Sequence, residues 1–104
     1  MKSDSFMDFV LDQLAALPAL KCRGMFGGFG LYAGEKFFGI IAQGRLYFKT
    51  SATTRGNYVA RGMKHFCPNN KQQLTSYFEV PAVIVEDAHE LPHWAEAAIR
   101  IAGK

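Results

Sequence analysis

The chain has 104 residues, 49% of them hydrophobic and 20% charged, with a formal net charge of +3. That length suits one domain, and that balance excludes a largely disordered chain. No apolar run approaches the ~20 residues a membrane-spanning helix needs. The start, MKSDSFMDFV, lacks the apolar centre of a secretory peptide, so a cytoplasmic location without a membrane is expected.

In chain order, residues 4–17 are expected as a first helix. Phe6, Val10, Leu14 and Leu17 recur at helical spacing, Ser3 or Ser5 caps the start, Ser5 with Asp8 resembles a capping box, and Pro18 stops it. Residues 20–49 predict four strands: Lys21–Phe26, Phe29–Ala33, Phe37–Ala42 and Arg45–Lys49. Their connections, Gly27-Gly28, Gly34-Glu35 and Gln43-Gly44, are too short for a crossover, so neighbours must be antiparallel. A second helix is expected over 53–61, with Thr53 or Thr54 as N-cap and Gly62 in a left-handed conformation after its end. Residues 67–73 predict a polar loop, Ser76–Val80 a fifth strand ended by Pro81, and 91–102 a last helix, while 82–90 carry no clear pattern. The order α-β-β-β-β-α-β-α predicts an α+β two-layer sandwich. It is a single domain over 1–104, a five-stranded antiparallel sheet with helices mainly on one face.

Chemistry-bearing motifs are sparse. Cys22 and Cys67 lie in no CxxC pair, so a zinc knuckle or a thioredoxin-type site lacks its ligands, and both are expected as unbridged thiols. His89-Glu90-Leu91-Pro92-His93 is a literal HExxH, the zinc-binding signature of helical metalloproteases. Pro92 removes a backbone donor inside that turn, so the helix is expected to start near Leu91 and to leave His89 outside it. The string is read as a capped helix start, and no metal is expected. The glycine-rich Arg23–Gly30 lacks a GK[ST] and leads into a strand, so a phosphate loop is not supported. Its Arg and aromatics are of the type that stacks RNA bases, but the spacing and strand order differ. Gly27 and Gly28 are read as a tight turn or bulge. His65 and Cys67 are placed on one strand face, with Pro68 directly after and nothing else to make them a nucleophile pair. No GxSxG and no paired carboxylates occur. No enzyme and no cofactor is expected.

The charge is unevenly spread. Residues 1–20 carry one Lys against three Asp, residues 21–71 nine basic side chains against Glu35, and residues 72–104 two against five acids. A basic middle of +8 thus lies between ends of −2 and −3. Arg45, Tyr47 and Lys49 alternate, so they share one face of the fourth strand, with Leu46 and Phe48 on the other. Arg23, Arg45, Tyr47, Lys49, Arg55 and Arg61 are the expected contact surface, with Lys21 and Lys64 nearby. It is suited to an acidic protein or to phosphates with Tyr47 stacking. The bland alternative is a solvated sheet face, with some cations paired to the acidic ends of the same chain.

Several blocks carry a family resemblance. They are Arg23-x-Met25-Phe26-Gly27-Gly28-x-Gly30-Leu31-Tyr32, Phe38-Gly39-Ile40-Ile41, Leu46-Tyr47-Phe48-Lys49, Ser76-Tyr77-Phe78-Glu79-Val80-Pro81 and Leu91-x-x-Trp94. In them, from about residue 6 to 102, the chain resembles the TfoX/Sxy N-terminal domain family of bacterial competence-gene regulators. The resemblance implies an α+β domain with an antiparallel sheet and a cytoplasmic, non-enzymatic role in transcription regulation, linked to DNA uptake. It supplies no catalytic residues. Full-length regulators carry a helical C-terminal domain after this one, and this sequence ends at Lys104, so a stand-alone single-domain form is expected. The expected partner is a protein in transcription control, ahead of DNA. The alternative is a self-associating structural module, a homodimer with no role in competence.

Overall fold

A computed structural model describes residues 5–25, 27–67 and 74–103. Phe26, the 68–73 part of the expected polar loop, and the Ser3 and Asp4 of the expected first helix lie outside them. The elements are α1 (Ser5–Gln13), β1 (Leu20–Met25), β2 (Gly28–Ala33), β3 (Lys36–Ala42), β4 (Arg45–Lys49), α2 (Ala52–Val59), β5 (His65–Phe66), β6 (Leu74–Glu79), α3 (Ala82–Val85) and α4 (Glu90–Ala102). The strands form one antiparallel sheet in the order β1-β2-β3-β4-β6-β5. The α+β expectation holds, and the count of five strands is corrected to six. The added strand, β5, is only two residues long, too short to show an alternation. The unpatterned stretch 82–90 holds the short α3 and the start of α4.

Two of the three expected turns, Gly34-Glu35 and Gln43-Gly44, separate the strands as predicted, while Gly28 is not a turn residue but opens β2, paired with Met25. Gln43 and Gly44 both have positive φ, 53° and 73°, as a two-residue hairpin turn requires. One irregularity matters for the faces. Leu31 pairs with Gly39 but Tyr32 pairs with Phe37, so Phe38 is an extra residue in β3. Phe38 and the Cα–Cβ direction of Gly39 both point to the helix side, toward Leu31 and Phe48. The bulge therefore lets Phe37 and Ile40 share the opposite face.

The helices pack on one side. Val10 and Leu14, Tyr58, Ile84 and Val85, and Leu91, Ala95 and Ala98 join Leu31, Phe38, Ile41, Leu46, Phe48, Phe78 and Val80 in one core. Leu46 and Phe48 thus face the helices, as their alternation predicts. Phe38, Phe48 and Leu91 are wholly buried, each contributing roughly 1.5–3 kcal/mol of transfer free energy.

Helix ends differ from expectation for local reasons. Past Gln13, Ala15 bonds back to Asp12 and Leu17 to Leu14, tightening the chain into three-residue turns before Pro18, so α1 stops short of 17. Leu14 and Leu17 remain buried. The cap of α2 is Ser51 rather than Thr53 or Thr54. Its hydroxyl accepts from the backbone N–H groups of Thr53 and Thr54, and the Thr54 hydroxyl accepts from the Ser51 N–H. Gly62 takes the expected positive φ, 77°.

Among the described residues, no helix is long and apolar enough to cross a membrane.

Candidate interaction surface on the sheet

The second face of the sheet carries its own apolar cluster, built from strand residues alone: Ile40, Ala42, Phe66 and Tyr77, with Phe37, Tyr47 and Leu74 against them. Three rings run in contact across it. Tyr32 stacks on Phe37 with centroids 5.1 Å apart, and Phe37 meets Tyr77 at 5.3 Å. Cations close both ends of the row. The Arg23 guanidinium lies over Tyr32 at 5.5 Å, and the Lys49 ammonium over Tyr77 at 5.1 Å. Such contacts are worth roughly 0.5–1 kcal/mol at exposed sites. Tyr47 packs on Phe66 at 4.7 Å beside this row.

The electrostatics are set by the same layout. Arg45 pairs with Glu79 at 3.2 Å, the Arg side chain 60% exposed and the Glu 24%. One cation of the basic middle is thus matched by an acid of the C-terminal part. Burial pushes the Tyr47 phenol above its usual value; Glu79 adds to this and Arg45 opposes it. Burial, with Tyr32 beside it, pushes Tyr77 up to about 12. Both rings therefore stay neutral at ordinary pH and serve as contact area and hydrogen-bonding groups.

The six expected contact residues fall on two layers. Arg45, Tyr47 and Lys49 sit on this face of β4 and Arg23 on β1 beside Tyr32. Arg55 is exposed on α2, and Arg61 follows that helix. Tyr58 of α2 packs into the helix-side core against Phe78 and Trp94, so α2 and its arginines belong to the helix layer. Arg61 lies over Trp94 at 5.5 Å. Sequence reasoning missed Tyr32, Phe37 and Tyr77 as members of the surface. Tyr77 alternates with Glu79 and Tyr32 with Gly30, which was a legible signal; the side taken by Phe37 depends on the bulge.

No disulfide joins Cys22 and Cys67. Burial raises the Cys22 pKa, which lowers its thiolate fraction. Cys67 follows β5 rather than lying in it, so it shares no strand face with His65.

The HExxH string opens α4 as expected: the helix begins at Glu90, one residue before Leu91, and His89 lies outside it as the N-cap. Pro92 occupies the third position of α4, within the first turn, where proline is tolerated. His89 is the N-cap yet has helical φ and ψ, −88° and −44°, and the Leu91 N–H already bonds the Asp87 carbonyl at 2.9 Å. The helical path therefore reaches back past Pro92, and the His89 and His93 rings meet edge to face at 4.9 Å.

Residues 12–102 match the TfoX N-terminal domain. The chain belongs to that family. No curated protein matches it. In this TfoX N-terminal domain the glycines of the Arg23–Tyr32 block have packing reasons. A Cβ on Gly28 would collide with the Ile41 carbonyl of β3, and one on Gly30 would crowd Met25, Phe37 and Tyr32 on the aromatic face. Trp94 of the last block is the ring against which Tyr58 packs edge-on.

Proposed function

We propose that this TfoX N-terminal domain is a non-catalytic, cytoplasmic regulatory module that acts in transcription control by docking an acidic protein on its aromatic sheet face. The observation that carries this reading is the row Arg23–Tyr32–Phe37–Tyr77–Lys49, in which rings in mutual contact are closed at both ends by cations. Aromatic rings give rigid contact area at little entropic cost, and Arg is enriched with them at protein interfaces. The cations steer an acidic partner and set its register. The family's place among competence-gene regulators supports the regulatory role.

A protein fits this face better than duplex DNA. Glu79 lies among the cations and already engages Arg45, which suits a mixed protein surface more than a row of phosphates. The test is capture of partners from cell extract by the wild type and by an Arg45→Glu/Lys49→Glu variant. Loss of salt-sensitive partners in the variant is expected, and an unchanged set refutes the reading. Duplex binding, if it carried the function, would weaken with salt at a log–log slope of about −0.9 per phosphate neutralised.

The alternative is self-association through the sheet face or edge; pairing at the β1 edge is opposed by Lys21 and Arg23, since edge charges discourage strand pairing. Light scattering is expected to give a monomer; a dimer would favour the structural module.

A further inference from the structure

We propose that His89, Glu90 and His93 at the start of α4 form a binding site for a late first-row divalent cation, with Zn²⁺ and Ni²⁺ as the chemical class. This site lies on the helix layer and is independent of the sheet face.

The spacing supplies the first argument. His89 and His93 are four residues apart and Glu90 precedes His93 by three, and both separations bring helical side chains together on one face. Because helical backbone extends back through His89, that geometry is realised, and one donor atom from each of the three side chains lies within 4.8 Å of the others. Tetrahedral zinc with Zn–N bonds of ~2.0–2.1 Å needs donors about 3.4 Å apart. Both histidines are exposed, so side-chain rotation at the surface closes the remaining gap without disturbing the core.

Two imidazoles and one carboxylate form a donor set that suits Zn²⁺, Ni²⁺ or Cu²⁺ better than Mg²⁺ or Ca²⁺, which prefer all-oxygen ligation. A cation at a helix N-terminus meets the positive end of the helix dipole, an unfavourable placement on its own. Here Asp87 offsets it. Its Oδ1 accepts from the His89 and Glu90 N–H groups, both at 2.9 Å, which places a carboxylate at that end.

Three protein donors leave at least one coordination position for water or for a donor from a bound molecule. Room exists for it: Glu90 and His93 also line a cleft of about 210 Å³ between α2 and α4, with Thr54 and Asn57 contributing polar groups from α2.

The experiment is calorimetric titration of the full chain with Zn²⁺. Wild type is expected to bind one ion saturably, and His89→Ala, His93→Ala and Glu90→Gln each to weaken it. Loss of an outer-shell partner alone costs roughly 10–100-fold in metal affinity, so loss of either histidine ligand is expected to cost at least that. His65→Ala and Cys67→Ser are expected to leave the affinity unchanged. Circular dichroism melts confirm that the variants, all at surface or near-surface positions, remain folded. Absence of saturable binding, or an affinity unaltered by His89→Ala or His93→Ala, overturns the proposal.

Discussion

The Tyr77 hydroxyl donates a hydrogen bond to the main-chain carbonyl oxygen of Phe37, 3.1 Å away. β4 separates the strands that carry these two residues, so the bond links β6 to β3 across the end of β4. It satisfies a carbonyl beside the bulge and holds the middle of the aromatic row. Tyr77→Phe keeps the ring and removes the donor. It is expected to destabilise the domain by about 1 kcal/mol, and up to ~3 if the carbonyl is left dry. Urea unfolding of the two proteins measures the difference.

The same phenol makes stability depend on alkaline pH. Folding raises the Tyr77 pKa from 10.0 to about 12, chiefly through burial, and raises that of Tyr58 for the same reason. The fold thus favours the protonated phenols. Their contribution is fully present below pH 10, and it falls as pH climbs from 10 through 12, because the unfolded chain then releases protons that the folded one keeps. Chemical unfolding across that range, with phenolate absorbance followed in parallel, is expected to show stability falling as pH rises. Tyr77→Phe is expected to flatten the decline.

Two glycines of the Arg23–Tyr32 block should respond oppositely to alanine. Gly28 has the Ile41 carbonyl in the way and cannot accept a Cβ without moving β3, so Gly28→Ala is expected to cost roughly 1–3 kcal/mol. Gly24 meets nothing within 4 Å, and its φ lies outside the left-handed region. Gly24→Ala is therefore expected to be neutral or to stabilise by about 0.4–1 kcal/mol through the unfolded chain. Thermal melts of the two variants check the contrast.

Ser51 caps the start of α2. Ser51→Ala removes the acceptor for the Thr53 and Thr54 N–H groups and is expected to cost about 1 kcal/mol. Tyr58 hangs from this helix into the core, so the loss should register as a lower denaturation midpoint in urea.

Arg45 is a different case. Its pair with Glu79 is largely exposed, and exposed pairs contribute only ~0.2–1 kcal/mol. Arg45→Gln is therefore expected to melt close to wild type, which makes position 45 a safe place to alter the surface without altering the fold.

Much of the architecture was legible because local chemistry fixes it. Gly34, Gly44 and Gly62 occupy left-handed positions, and the strands from Leu20 to Lys49 fall within a residue or two of the runs between turns. The last helix was legible from Leu91, Trp94, Ala98 and Ile101, which recur at helical spacing. What stayed hidden depends on contacts between distant segments. β5 has two residues, and its existence rests on its pairing with β6. The charge tally put Arg55 and Arg61 with Arg45 because all lie in one stretch of chain. Tyr58 docking on Trp94 places α2 on the helix layer, and no periodicity reports that. Phe37 joined the surface through a one-residue bulge that strand alternation does not reveal. Pro92 was legible as a first-turn proline, but the helical φ and ψ of His89, which bring its ring onto His93, were not.

In the proposed mode, partners dock on the sheet face and not on the helix layer. Positions 45 and 55 decide it, because both hold exposed arginines and they lie on β4 and α2 respectively. A photo-cross-linking side chain at each position, activated in cells expressing the chain, gives the most direct measurement. Covalent capture of a protein partner from position 45 and not from position 55 is the predicted result. Capture from position 55 with none from position 45 would contradict the account.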